Sequence, residues 1–76
     1  MRAYFAERVG QALLRARKAA KLRQSDVCAC AAEMGYPLNV NTLSRIERGL
    51  RVLIFEEVLI LLEIYGKNIN DFIEGI

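Results

Sequence analysis

The sequence predicts a compact all-α fold of five helices. Three observations carry that expectation. A hydrophobic content of 54% with one proline in 76 residues argues against disorder. Val, Thr and aromatic residues rarely alternate with polar ones, so no strand is expected. Helix-starting and helix-ending residues punctuate the chain at Gly35, Asn39, Gly49, Gly66 and Asn68. No repeat, linker or low-complexity stretch divides residues 1–76, so one domain is expected, near the size at which a lone core is only marginally stabilising.

Each element has its own signals. A first helix is expected from about Ala3 to Ala20, burying a stripe of Phe5, Val9, Leu13, Ala16 and Ala20. Arg17 falls inside that stripe, which is costly unless a carboxylate meets it. A second helix opens near Gln24 and Ser25, with Asp26 favourable in its first turn. Val27, Ala31 and Met34 form its buried side, and Gly35 ends it. Pro37 cannot continue a helix and biases Tyr36 away from helical geometry, so Tyr36-Pro37-Leu38 reads as a turn. Asn39 caps a third helix, Val40 to about Arg48, which Gly49 closes. A fourth spans roughly Ile54 to Tyr65 and stops at Gly66; Asn68 starts a short fifth carrying Ile69, Phe72 and Ile73.

Charge is divided along the chain. Residues 1–51 hold ten Lys/Arg against four Asp/Glu, whereas residues 52–76 hold Lys67 against five acids. A basic front and an acidic back suit a protein with one face toward phosphate and another toward protein. Cys28 and Cys30 point to different faces of one helix and cannot bridge each other there. With no His to complete a zinc set, they read as small thiols in a reducing cytoplasm. Arg2, Glu7, Arg8, Arg15 and Arg17 interrupt the N-terminus before a secretory apolar core forms. Glu56, Glu57 and Glu63 interrupt the apolar stretch from Val52 to Tyr65, against a membrane span. A soluble, cytoplasmic chain is the expectation.

The most informative stretch is the third helix. Leu43, Ile46 and Leu50 share one face with Glu47 among them, while Val40, Asn41, Ser44, Arg45 and Arg48 recur on the other. A solvent-facing row of Asn, Ser and Arg with one small apolar residue suits base edges. Arg bonds guanine bidentately, Asn bonds adenine, and an apolar group touches the thymine methyl. Asn41 and Arg45 are the leading base readers. Arg48, Arg51, Arg23 and Lys21 are placed to flank them, and Asn39 presents an edge beside its capping role. Two helices joined by a short Gly/Pro turn, over about residues 24–48, have the pattern of a helix-turn-helix. Catalysis is not expected. There is no His, the thiols lack a base, and no phosphate loop or paired-carboxylate cleft can be assembled; no cofactor or metal is implied.

The chain resembles the Cro/cI-type (XRE) family of lambda repressor-like DNA-binding domains over nearly all its length. The residues carrying the resemblance are Gly10, Leu13, Leu14 and Arg17, then Leu22 and Gln24. Thr42-Leu43-Ser44-Arg45-Ile46-Glu47-Arg48-Gly49 follow, then Ile69, Asp71 and Phe72. The stretch from Gln24 to Gly49 is longer than in the commonest members and is similar to the variant with a Gly-aromatic turn, here Gly35-Tyr36. The resemblance implies a phosphate contact for Gln24, base or backbone contacts for Val40, Asn41, Thr42, Ser44 and Arg45, and an inward Arg17–Glu47 pair linking the first and third helices. Departures are Arg23 where the family has Ser or Thr, which leaves that cap weak or shifted to Ser25, and Val52-Leu53-Ile54-Phe55 in place of a polar start to the fourth helix.

If Phe55, Val58, Leu59 and Leu62 cover the core, then Leu53, Ile54, Ile60, Leu61 and Ile64 are surplus and form a dimer interface. The functional expectation is a dimeric, sequence-specific regulator of double-stranded DNA, most simply a repressor on an inverted repeat. The alternative is a protein-binding or antitoxin-like module that uses the apolar fourth-helix surface to hold a different protein.

Overall fold

Helix boundaries fall where capping chemistry permits them. The computed structural model describes residues 3–76, with side chains from Phe5 onward; Met1 and Arg2 lie outside the described residues. Five helices follow in order: α1 (Ala3–Ala19), α2 (Gln24–Glu33), α3 (Val40–Glu47), α4 (Phe55–Tyr65) and α5 (Ile69–Glu74). No strand occurs among the described residues.

Asn39 caps α3 through its side-chain oxygen, which accepts from the Thr42 backbone N–H at 2.8 Å. Asn68 likewise accepts from the Asn70 N–H at 2.8 Å to start α5. The start of α2 is handled differently. The cap is not shifted to Ser25. Asp26 reaches back to the Arg23 N–H at 2.9 Å and grips the Arg23 guanidinium at 3.2 Å, the returning half of a capping box, while the Arg23 side chain accepts nothing from the first turn.

Helix α3 ends with Gly49 left-handed at φ 72°, and paired bonds run from Gly49 N–H to the Ile46 carbonyl and from Leu50 N–H to the Arg45 carbonyl. The same two-bond closure ends α1, where the left-handed residue is Lys21 at φ 61° rather than a glycine. That conformation costs a side-chain-bearing residue about 1–2 kcal/mol.

The core is formed by α1 packed on α3 and α4, with α2 packed on α3 and α4. Leu13, Val27, Leu43, Ile46 and Leu61 are its fully buried centre. Three details depart from the sequence expectation. The α1 stripe is Ala6, Val9, Ala12, Leu13 and Ala16; Phe5 is exposed and Ala20 only half-buried. Met34 and Leu50 are exposed, because each lies beyond its helix in the closing turn and has left the buried face. Helix α4 buries Leu61, Leu62 and Tyr65 with Glu57, while Phe55 and Leu59 face outward and Val58 is half-buried. Gly10 lets α1 approach the end of α3 closely: a Cβ there would meet the Ile46 carbonyl oxygen and lie 2.8 Å from the Glu47 carbonyl oxygen.

Candidate nucleic-acid interface

Helix α3 presents two faces of opposite character. Its inward face is Leu43, Ile46 and Glu47. A carboxylate among apolar residues must be paired and fully bonded to be tolerated. Arg17 of α1 supplies this, with Nε donating to Glu47 Oε2 at 2.7 Å and Nη2 to Oε1 at 3.2 Å. The guanidinium also donates through Nη1 to the Leu22 carbonyl at 2.9 Å, so one side chain ties α1, the α1–α2 connection and α3 together. These bonds to Glu47 raise the Arg17 pKa and keep it charged, against the opposing effect of burial.

Gln24 is the third member of this network. Its Nε2 donates to Glu47 Oε1 at 3.0 Å, which places the start of α2 against the inward edge of α3. The amide carries two N–H donors. One is engaged with Glu47.

The outward face holds Val40, Asn41, Arg45 and Arg48, all exposed, with Ser44 and Thr42 half-buried at its margins. Arg45 is not wholly idle: Nη2 donates to the Leu50 carbonyl at 3.3 Å across the turn that ends α3. Asn39 spends its oxygen on the cap and lies exposed at the beginning of this row. Lys21 is exposed at the end of α1. Arg23 is exposed but held by Asp26, which raises the Arg23 pKa and lowers that of Asp26, chiefly through their side-chain hydrogen bonds.

Arg51, expected to flank a DNA site, pairs through Nη1 with Glu57 Oε1, and Glu57 is only 3% exposed. Tyr36 faces the same carboxylate, and its pKa is raised by desolvation and then by Glu57. A second buried carboxylate, on α4, therefore anchors the connection that follows α3. Sequence reading missed Glu57 because it sought an all-apolar face. The signal was the i, i+4, i+8 row of Glu57, Leu61 and Tyr65.

The expected dimer surface is also revised. Leu61 is 1% exposed and belongs to the core, and Leu53 and Ile64 are half-buried against it. Ile60 is half-buried and Ile54 exposed. The strongest apolar exposure lies instead at Val52 (75%) and Phe55 (71%), beside Leu50, Ile54 and Leu59.

No group of His, Cys, Asp and Glu able to hold a metal occurs among the described residues. Cys28 and Cys30 are both free and half-buried, and burial raises the Cys28 thiol pKa. No helix among the described residues is long and apolar enough to cross a membrane. Comparison of the chain with protein-family models, curated proteins and solved structures finds no match.

Proposed function

We propose that this chain is a sequence-specific DNA-binding regulator of the Cro/cI type, in which α2, the turn through Tyr36 and Pro37, and α3 act as a helix-turn-helix. Helix α3 enters the major groove with Asn41 and Arg45 toward base edges, while Val40 and Ser44 border the contact. Arg48, Lys21 and Arg23 meet phosphate at its flanks, together with Gln24 at the start of α2. A dimer on an inverted repeat occludes a promoter without a cofactor, which makes repression in the cytoplasm the simplest use.

The observation that carries this reading is the division of α3 into two faces. Asn41, Arg45 and Arg48 stand exposed in one row, while Glu47 on the opposite face is gripped by Arg17 and Gln24. A rigidly anchored short helix whose outward groups are Asn and Arg suits groove readout, because base contacts need side chains held in register.

Selection of bound sequences from random duplex DNA tests it directly. The expected result is a two-fold-symmetric site whose affinity falls steeply with salt, by about one unit of log–log slope per phosphate neutralised. No enrichment, together with no duplex binding at low salt, overturns the proposal.

A further inference from the structure

The peptide between Leu50 and Arg51 is held from two sides. Its carbonyl, that of Leu50, accepts from Arg45 Nη2 at 3.3 Å, and the Leu50 N–H donates to the Arg45 backbone carbonyl at 2.9 Å. Arg45 is therefore bonded to one residue through both its main chain and its guanidinium. On the other side, the Arg51 side chain runs to Glu57 of α4, where Nη1 donates to Oε1. The Glu57 side chain is 4% exposed and that of Arg51 28%, so the pair lies at the edge of the core, where salt screens it little. Tyr36, in the turn before α3, faces the same carboxylate, and all three line one cleft with Asn39 and Thr42 at the start of α3. Segments on both flanks of α3 converge on Glu57.

We infer that Glu57 is a positioning residue for Arg45: by fixing Arg51 it fixes the Leu50 carbonyl on which the Arg45 guanidinium rests. Gly49 reverses the chain at φ 72°, a conformation open to glycine, and the residues just past it offer no other anchor. Leu50 and Val52 are exposed, and Leu53 is the next side chain to pack on the core. Arg51 is thus the first residue beyond α3 whose side chain is tied to a buried group. A guanidinium carries five N–H donors, so the one given to Leu50 leaves the rest for a base edge. Arg48 supplies the contrast. It is exposed on the same face of α3, and its guanidinium has no hydrogen bond among the described residues. A side chain already ordered loses less freedom on meeting a base, which is worth roughly two- to tenfold in affinity. The gain falls on selectivity, because a guanidinium held in one geometry meets one base edge, whereas a released one also reaches phosphates and neighbouring bases. Glu57 therefore acts on sequence discrimination although it touches no DNA. The inference rests on the base-reading role of Arg45 proposed above and adds the group that presets it.

Nitrogen-15 relaxation of the arginine side chains in the free, full chain reads the restraint, and duplexes differing at single base pairs read its use. In the wild type, Arg45 Nε is expected to be clearly more ordered than Arg48 Nε. Glu57→Leu, which fills similar space without charge, should bring Arg45 down to the level of Arg48. Arg51→Ala should do the same, and takes its place should Glu57→Leu misfold. Glu57→Gln keeps an acceptor for Arg51 and should preserve most of the order. Phe72→Leu, a core change on α5, should lower the melting temperature and leave Arg45 as it is, so that lost stability alone does not move the reading. On duplex DNA, Glu57→Leu should reduce discrimination at the base pair read by Arg45 roughly two- to tenfold. In the Arg45→Ala background the same change should reduce it no further, because the two residues act as one unit. A wild-type Arg45 as mobile as Arg48, an Arg45 indifferent to both Glu57→Leu and Arg51→Ala, or equal losses of discrimination with and without Arg45 overturns the inference. Absence of duplex binding overturns the proposed function instead, and the relaxation measurement, which uses no DNA, still decides whether Glu57 holds Arg45.

Discussion

Gln24 Nε2 lies 3.0 Å from Glu47 Oε1, the same carboxylate oxygen that takes Arg17 Nη2 at 3.2 Å. The start of α2 and the inward face of α3 are thus joined through a carboxylate that is already paired to α1. One buried acid sets the relation of three helices.

Removing that acid should therefore cost more than an ordinary surface change. Glu47→Ala leaves the Arg17 guanidinium largely buried without its partner, which is expected to destabilise the fold by about 3–5 kcal/mol. That is a large share of the roughly 5–15 kcal/mol available to a domain. Chemical denaturation measures the loss. Glu47→Gln keeps the shape and one acceptor, and should lose less. A Glu47→Ala melting curve equal to wild type would show that the pair contributes nothing to holding α3.

Arg51 should behave as a structural residue. On the geometry described, Arg51→Ala strands Glu57 at 3% exposure without its cation. A loss of about 1–3 kcal/mol is expected, the cost of an unmet hydrogen bond to a buried charged group, reduced because Arg51 itself is partly exposed. If Arg51 were chiefly a phosphate contact, the variant would melt like wild type and lose salt-sensitive DNA affinity instead. Measuring melting and duplex binding on the same variant separates the two.

Much of this architecture was legible in the sequence. Asn39, Gly49, Gly66 and Asn68 announced their helix ends because capping is local chemistry, decided within a few residues. The inward positions of Arg17 and Glu47 were legible because each interrupts an apolar stripe of its own helix. The core face of α4 was not. Seeking a charge-free stripe rotated it by about one residue, roughly 100°, toward Phe55 and Leu59 and away from Glu57, Leu61 and Tyr65. A carboxylate can face inward only if a cation comes to it. Arg51 does so from an irregular connection whose path no periodicity predicts. The same misplacement assigned Leu61 to an interface and Phe55 to the core. Spacing shows which residues share a face, but not which face the rest of the chain covers.

Tyr65 offers a stability test with a pH signature. Its hydroxyl is buried with no hydrogen-bond partner among the described residues, and its pKa is pushed well above the usual tyrosine value, first by burial and then by the negative charge of Glu47. A folded-state pKa above the unfolded value near 10 gives stability that is complete below pH 10 and lost as pH rises beyond it. The wild type should therefore melt progressively lower above about pH 10. Tyr65→Phe removes an unmet polar group and this titration together. It should melt at or above the wild type at neutral pH and lose less on the alkaline side. Because Tyr36 is shifted in the same direction, part of the alkaline loss should remain. A marked neutral-pH destabilisation by Tyr65→Phe would mean that the hydroxyl is bonded after all.

The sharpest test of groove reading contrasts Arg45 with Lys21. Arg45 lies one turn beyond Asn41 on the exposed face of α3, so a helix in the major groove carries both toward base edges. Arg45→Ala is expected to cost about 1–3 kcal/mol on the best site and to relax preference at one base pair per half-site. Lys21 stands exposed just beyond α1, and in the proposed docking it would meet only the phosphate backbone. Lys21→Ala should weaken every sequence about equally and lower the salt slope by roughly one unit per subunit. The left-handed backbone of Lys21 supplies an internal control. Lys21→Gly removes the same charge but relieves about 1–2 kcal/mol of backbone strain, partly offset by the greater freedom of glycine in the unfolded chain. The two Lys21 variants should therefore bind DNA alike while the glycine variant melts higher, which separates lost charge from altered stability. Affinities for the best site and its single-base variants, each at two salt concentrations, provide the comparison. Full wild-type sequence preference in Arg45→Ala would remove the outward face of α3 as the reading surface and leave only a basic protein riding on phosphate.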